Sequence, residues 1–363
     1  MTAVLAGDRT AVGDLLARDP DEVCRTARNH GLAGLIAERL VEAETAEEPV
    51  PVKLRQESRS AAAADVVRER ELVRLVEDFD REGIRALLFK GAHLAYSVYE
   101  RPDLRPRLDT DILIDPADRE RAYARLASLG YESPAQVTGA FVAHQAFYVK
   151  RQGTAEVHAV DLHWRISNPE LFSRFVTLDE LRSGERSLPR LSPAARGPAP
   201  VHALLIACVH RVAHHFDSER AIWLYDLHAI ARGLTDPEWQ HFVSLATDRK
   251  VAGICRTGLS RSMQLFGSTC PAWVLARLDA AAAAGEPTAA YLAQDRRPVE
   301  NFVADLKALN GWQARVRLMR EHLFPSAEYM RRVYAPSSHA PLMLLYAWRA
   351  VRGARRWLLR GAA

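Results

Sequence analysis

The sequence predicts an α/β fold: a small sheet with flanking helices, preceded and followed by helical regions. Three observations carry this. The apolar run 86–89 stops at Lys90-Gly91 and passes into helix-forming sequence, which is the pattern of a buried strand, a turn and a helix. Residues 147–150 and 156–164 read as two strands joined by a turn that contains Gly153. Most of the remaining chain places apolar residues at helical spacing. With 363 residues, 48% apolar and 26% charged, the chain can bury a large core.

Taken in order, residues 5–40 set Val12, Leu15, Leu16, Val23, Ala27, Leu32, Leu35 and Ile36 at helical intervals. Residues 42–52 are acidic with two prolines and predict a loop. Residues 53–82 predict one long helix stopped by Gly83, with Val66, Leu72, Leu75, Val76 and Phe79 packed on the sheet. A second helix, 117–129, ends at Gly130. Residues 183–200 hold four prolines among small residues and predict a linker. From residue 201 onward the pattern is helical, with no strand signal. This divides the chain into a helical N-terminal region (1–75), a catalytic core (76–190) and a helical C-terminal domain (198–363).

The residues that carry chemistry cluster in the core. Asp109 and Asp111 stand two apart where a strand follows an arginine-rich loop, and alternation along a strand sends both carboxylates to one face. Two like charges so placed call for a cation. In the strand 156–164 the same alternation puts Val157, Ala159, Asp161 and His163 on one face, so a third carboxylate arrives on a neighbouring strand. The helix after Gly91 turns its first free N–H groups toward the turn, an anion site where Lys90 suits a β or γ phosphate. Arg101, Arg105 and Arg107 offer guanidinium forks that match phosphate oxygens. His163 contacts phosphate, orients Asp161, or is a buried structural histidine.

This order of turn, helix and Asp-x-Asp strand resembles the nucleotidyltransferase superfamily with its polymerase-beta-like core. The closer resemblance is to the bacterial family of uncharacterised nucleotidyltransferases. It rests on Lys90-Gly91, Arg105, Asp109-Thr-Asp111, Val160-Asp-Leu-His-Trp164, Trp223-Leu-Tyr-Asp-Leu227 and the segment from Phe324 to Tyr334. It spans the chain from about residue 75 to its end. Two departures from the superfamily stand out: Ala92 replaces a serine, and the gap from Gly91 to Asp109 is long. The resemblance implies a nucleotidyltransferase-type mixed sheet and transfer of a nucleoside monophosphate from a nucleoside triphosphate, with release of pyrophosphate. It implies Asp109 and Asp111 as holders of two Mg²⁺ ions, with Asp161 completing the second site and helping to deprotonate the acceptor. Arg105 is the favoured clamp on the triphosphate, with Lys90, Gly91, Arg107 and His163 around the nucleotide. The acceptor hydroxyl or phosphate stays open among a small molecule, a natural-product peptide and a protein.

Two other readings are weighed. One is a repurposed, catalytically silent fold that binds a ligand or partner; the other is a toxin-like transferase acting on transfer RNA. Only the tail supports the second, with Arg349, Arg352, Arg355, Arg356 and Arg360 beside Trp348 and Trp357. A net charge of +4 is too mild to imply nucleic acid by itself, so that partner is not favoured. The tail reads first as a terminal helix packed on one side, with lipid or an anionic partner as the alternative. His210, His214 and His215 lack the glutamate of a zinc-protease helix and are read as facing the cleft or a domain interface. Asp226 is expected in the core, paired with a histidine. Cys24, Cys208, Cys255 and Cys270 form no close pair and read as reduced core thiols. No apolar run is long enough to span a bilayer and no secretory pattern opens the chain, so a cytoplasmic protein without membrane insertion is expected.

Overall fold

The structure is a computed structural model that describes residues 1–8, 11, 14, 15, 19–42, 52–213, 220–293, 296–335 and 340–358, with side chains given only to 353 in the last helix. Val12, Leu16, most of the acidic loop, His214, His215 and Arg360 lie outside the described residues, as do the side chains of Arg355, Arg356 and Trp357. Helices α1 (Pro20–Asn29) and α2 (Ala33–Glu42) precede the 30-residue α3 (Val52–Arg81). Asp19 caps α1 by accepting from the Asp21 N–H at 3.1 Å, with Pro20 in the first turn. Gly83, at φ +66°, turns the chain after α3, a conformation that costs glycine little. The chain then enters β1 (Leu87–Leu88), α4 (Lys90–Ser97), β2 (Thr110–Leu113) and α5 (Arg119–Ser128). Strands β3 (Tyr131–Glu132), β4 (Gln145–Gln152) and β5 (Ala155–His163) complete a five-stranded mixed sheet in the order β1-β2-β5-β4-β3. Only β2 and β5 run parallel.

One face of this sheet packs Ile112, Ile114, Val160 and Leu162 against Leu72, Leu75, Val76 and Phe79 of α3. Val66, expected among them, is 60% exposed, because its side of α3 faces solvent while the neighbouring Asp65, about 100° round the helix, is the buried one. The other core joins Phe89, Leu94 and Leu113 to the N-terminal helices and to the C-terminal helices. Those are α6 (Pro200–Ala213), α7 (Ala221–Ala231), α8 (Asp236–Asp248), α9 (Ala252–Phe266) and α10 (Ala272–Ala283). Cys24, Cys208 and Cys255 are buried free thiols, and Cys270 is half-buried.

Residues 183–200 are not a loose linker. They form a small hairpin, Arg186–Ser187 paired with Arg196–Gly197, and bury Leu188, Leu191 and Ala195 in the core under the sheet. Arg190 donates to the carbonyls of Tyr99 and Glu100 at 2.6 and 2.5 Å. The His93 ring lies so close to Gly197 that a Cβ there would collide with it. Prolines and glycine thus fix a packed turn, which a composition rule reads as a spacer. After α10 come α11 (Pro298–Ala308), α12 (Trp312–Leu323), α13 (Ala327–Tyr334) and α14 (Leu342–Leu358). Among the described residues no helix is long and apolar enough to cross a membrane.

Candidate active site

Strand register builds the centre of the site. Asp111 on β2 stands opposite Asp161 on β5, and Asp109 precedes Asp111 by two, so all three carboxylates border one cavity of about 1000 Å³. Antiparallel pairing of β1 with β2, extended by the Phe89 N–H donating to the Asp111 carbonyl at 3.2 Å, brings the start of α4 to the same place. Lys90 therefore reaches Asp111, with Nζ 2.6 Å from Oδ1. Its backbone sits at φ +52°, a left-handed conformation that costs a side-chain-bearing residue energy.

His163, two after Asp161 on β5, is fully buried, and its Nε2 lies 3.0 Å from the same Asp111 oxygen. Burial pushes the imidazole down to about 4, with Lys90 adding to that fall, so the ring is neutral at pH 7. Burial alone would raise Asp111, but the Lys90 ammonium and the His163 N–H overcome it and hold this carboxyl well below the usual range. Because an ionised carboxylate only accepts, Nε2 carries the proton. The other two carboxylates differ. Burial, then repulsion from Asp111, raises Asp109 to about 6. Burial, then Asp111 and Asp109, raises Asp161 to about 7, although Gln145 donates to it at 2.8 Å. The site thus holds more negative charge than its own cations neutralise.

The arginines of the loop are committed elsewhere. Arg105 forks onto Asp226 of α7, with Nε–Oδ1 at 2.7 Å and a second contact to Oδ2 at 2.8 Å, while its remaining terminal nitrogen donates to the Pro106 carbonyl at 2.6 Å. The Tyr99 hydroxyl donates to the same aspartate at 2.6 Å. Asp226 therefore pairs with an arginine, not the expected histidine, because α7 packs against the loop. Arg107 reaches Asp65 of α3 at 2.9 Å and the Tyr96 hydroxyl at 3.0 Å. Arg101 is exposed and bridges Glu38 and Asp103. Arg105 and Arg107 both touch the cavity, but as bolts that fix the loop before Asp109 to α7 and α3. Gly91 lies directly beside Arg105: a Cβ there would rest in contact with the Arg105 guanidinium at 3.4 Å.

Other parts of the chain complete the walls. Also on the cavity wall, Arg28 of α1 pairs with Glu57 of α3, and Lys53 pairs with Asp21 at 2.7 Å. A third side carries His210, Trp223 and Arg220, whose guanidinium lies 5.3 Å from the Trp223 ring centroid. Among the described residues Arg220 has no carboxylate partner. Burial, and then the nearby Arg105, lower its pKa, as befits a cation without compensation. Sequence reasoning missed Gln145 because it began that strand two residues late; the outward extension of the strand pattern was the available signal. It missed Arg220 and the α1 and α3 wall altogether, since nothing local marks residues brought together only by tertiary packing.

The donor set suits a hard divalent cation. Ligand atoms of Asp111, Asp161 and His163 lie within 4.8 Å of one another, and Asp109 shares the cavity. With its Nε2 proton committed to Asp111, His163 orients that carboxylate, leaving the aspartates as the oxygen donors. The sequence model of the family described as "Uncharacterised nucleotidyltransferase" matches residues 17–267, which takes in α1 to α3, the whole sheet and α6 to α9. The match begins earlier and ends earlier than the resemblance read from motifs, leaving α10 to α14 outside it. No curated protein matches the chain.

Proposed function

The chain belongs to the uncharacterised nucleotidyltransferase family, and we propose that it transfers a nucleoside monophosphate from a nucleoside triphosphate to an acceptor hydroxyl or phosphate. One observation carries this reading above the others. Asp111 and Asp161 face each other across parallel strands with Asp109 beside them, at the mouth of the Lys90-Gly91 turn.

In this reading Asp109, Asp111 and Asp161 hold Mg²⁺, which supplies neutralisation of charge on the triphosphate and the leaving pyrophosphate. His163 keeps Asp111 in one orientation and, being neutral, adds no competing positive charge. Asp161, kept ionised by a cation held beside it, would take the proton from the acceptor hydroxyl. Lys90 neutralises Asp111 in the free enzyme, and its ammonium would be free to meet the β or γ phosphate were that carboxylate to hold a cation. Arg105 and Arg107 hold the loop, so that Asp109 and Asp111 keep their spacing without adjustment during turnover. The α1 and α3 wall leaves room beyond the carboxylates for an acceptor, since the cavity lies at the upper end of the roughly 300–1,000 Å³ range of small-molecule sites.

The test is calorimetric titration of each of the four ribonucleoside triphosphates with Mg²⁺, then with chelator, on wild type and Asp109→Asn. Binding that disappears with chelator or with the substitution supports the reading and identifies the donor for an acceptor screen with α-labelled nucleotide. No binding of any triphosphate would refute it and leave a fold retained without nucleotidyl transfer.

A further inference from the structure

Beyond the family match, the C-terminal helices carry a surface that the fold itself does not use. On α12, Trp312, Val316, Met319 and Leu323 recur at intervals of four, three and four residues and so form one narrow stripe. All four are exposed, Trp312 by 71%. On α14, Leu344, Trp348 and Val351 form a second stripe, with Leu344 63% and Val351 74% exposed. The opposite side of α14 does the packing. Leu345 is buried with Met330 and Ala335, the Tyr346 hydroxyl donates to the Pro325 carbonyl at 2.6 Å, and Arg349 donates to the His322 carbonyl at 2.9 Å. The stripes are therefore fixed outward on a unit held by other contacts.

The sequence of this segment is strongly basic. Residues 311–360 hold ten arginines against two glutamates, more net positive charge than the +4 of the whole chain. Arg315 and Arg320 flank the α12 stripe, and the Arg352 guanidinium lies 5.4 Å from the Trp348 ring on α14. Each occupant can be weighed against this. A second copy would bring like charge against like charge. Nucleic acid would match the arginines but would have to cover aliphatic side chains that offer no stacking. A peptide needs a groove, whereas a helical stripe is convex. An anionic lipid surface meets both features: the stripes enter the boundary between headgroups and acyl chains, tryptophan sits at that boundary, and the arginines meet the phosphates.

We propose that α12 and α14 bind the enzyme peripherally to an anionic lipid bilayer through their exposed apolar stripes and the arginines beside them. This stands on surface features alone and is independent of the chemistry in the cavity.

The test is co-sedimentation of the full chain with phosphatidylcholine vesicles with or without phosphatidylglycerol, at low and high salt, together with tryptophan emission. The expected result is at least roughly tenfold stronger partitioning to the anionic vesicles, weakened by salt, with a blue shift. Leu344→Gln/Val351→Gln, which alters only strongly exposed side chains, should lower partitioning about tenfold with the thermal unfolding transition unchanged. Arg315→Gln/Arg352→Gln should lower it further in anionic vesicles than in neutral ones. Absence of binding to anionic vesicles at low salt would overturn the proposal. So would undiminished binding by the apolar variant, which would mean adsorption by charge alone, or a lipid-free dimer that the apolar variant dissolves.

Discussion

Asp226→Ala separates the two roles open to Arg105. The Arg105 and Asp226 side chains are 9% and 5% exposed, so water screens their attraction little. Removing the carboxylate leaves a buried guanidinium without counter-charge, which costs about 3–5 kcal/mol. The Tyr99 hydroxyl loses its 2.6 Å acceptor as well, adding about 1 kcal/mol. Urea unfolding should therefore show Asp226→Ala less stable by about 4 kcal/mol or more. Arg105→Met/Asp226→Leu replaces the pair with apolar groups of similar size and should recover most of that loss, because no charge is left unpaired. The folded double variant then reports on nucleotide binding. If Arg105 is a bolt, triphosphate affinity stays within about threefold of wild type, since Arg107 still holds the loop. If it clamps the triphosphate, a lost charge-assisted contact of about 1.5–3 kcal/mol weakens affinity roughly 10- to 100-fold. A single variant costing under about 1 kcal/mol, or a stable double variant that loses nucleotide, would refute the reasoning.

The remaining expectations concern three side chains. Arg220→Met should weaken triphosphate binding about tenfold or more while leaving the unfolding midpoint unchanged, because Arg220 is exposed and has no carboxylate partner among the described residues; equal affinity would show that Arg220 does not meet the phosphates. Lys90→Met should act in opposite directions, tightening Mg²⁺ alone, since an ammonium 2.6 Å from Asp111 no longer competes, while weakening the triphosphate; a variant that weakens both would contradict the hand-over of Asp111. His158, buried between Thr110 and Tyr131, is pushed down to about 3 from 6.5, so the unfolded chain binds its proton first as pH falls. Its contribution is complete above 6.5 and is lost as pH drops toward 3, amounting to about 3 kcal/mol by pH 4.5. His158→Gln should flatten the pH dependence of the unfolding free energy by that amount; matching pH profiles would exclude this origin.

Legibility in the sequence followed the range of the interactions. Strands β1, β2, β4 and β5, the long α3 and its stop at Gly83 rest on local periodicity and turn chemistry, and they emerged within a few residues of their bounds, whereas the two-residue β3 is too short to leave a pattern and was missed. Asp161 was also legible, since alternation along β5 is a local rule; its register opposite Asp111 needed the sheet order. Residues 183–200 were misread because proline and glycine mark any turn, whether exposed or packed against a core. The partner of Arg105 lies 121 positions away, and the only sequence signal for it was Asp226 standing amid apolar residues on a helix, where an acid needs a cation. The histidine offered for it came from proximity in sequence, which a helix bundle does not respect.

The pairing of the arginines changes what the site can do. The sequence reading places Lys90, Arg105 and Arg107 around the nucleotide, free to meet its phosphates. In the fold, Asp226 takes Arg105, Asp65 takes Arg107, Glu57 takes Arg28 and Asp21 takes Lys53. Lys90 is left to Asp111, and Asp109 and Asp161 keep raised pKa values with no cation in ion-pair contact among the described residues. Such a cavity disfavours a bare triphosphate, because the three carboxylates that border it repel incoming negative charge. It favours a triphosphate that arrives together with divalent cations, and the two ligands should bind with mutual enhancement. Titrating nucleotide at increasing Mg²⁺ should accordingly show apparent affinity rising with metal well past the point at which the free nucleotide is saturated. Affinity that tracked only the fraction of nucleotide already in complex would mean that the protein's carboxylates take no part.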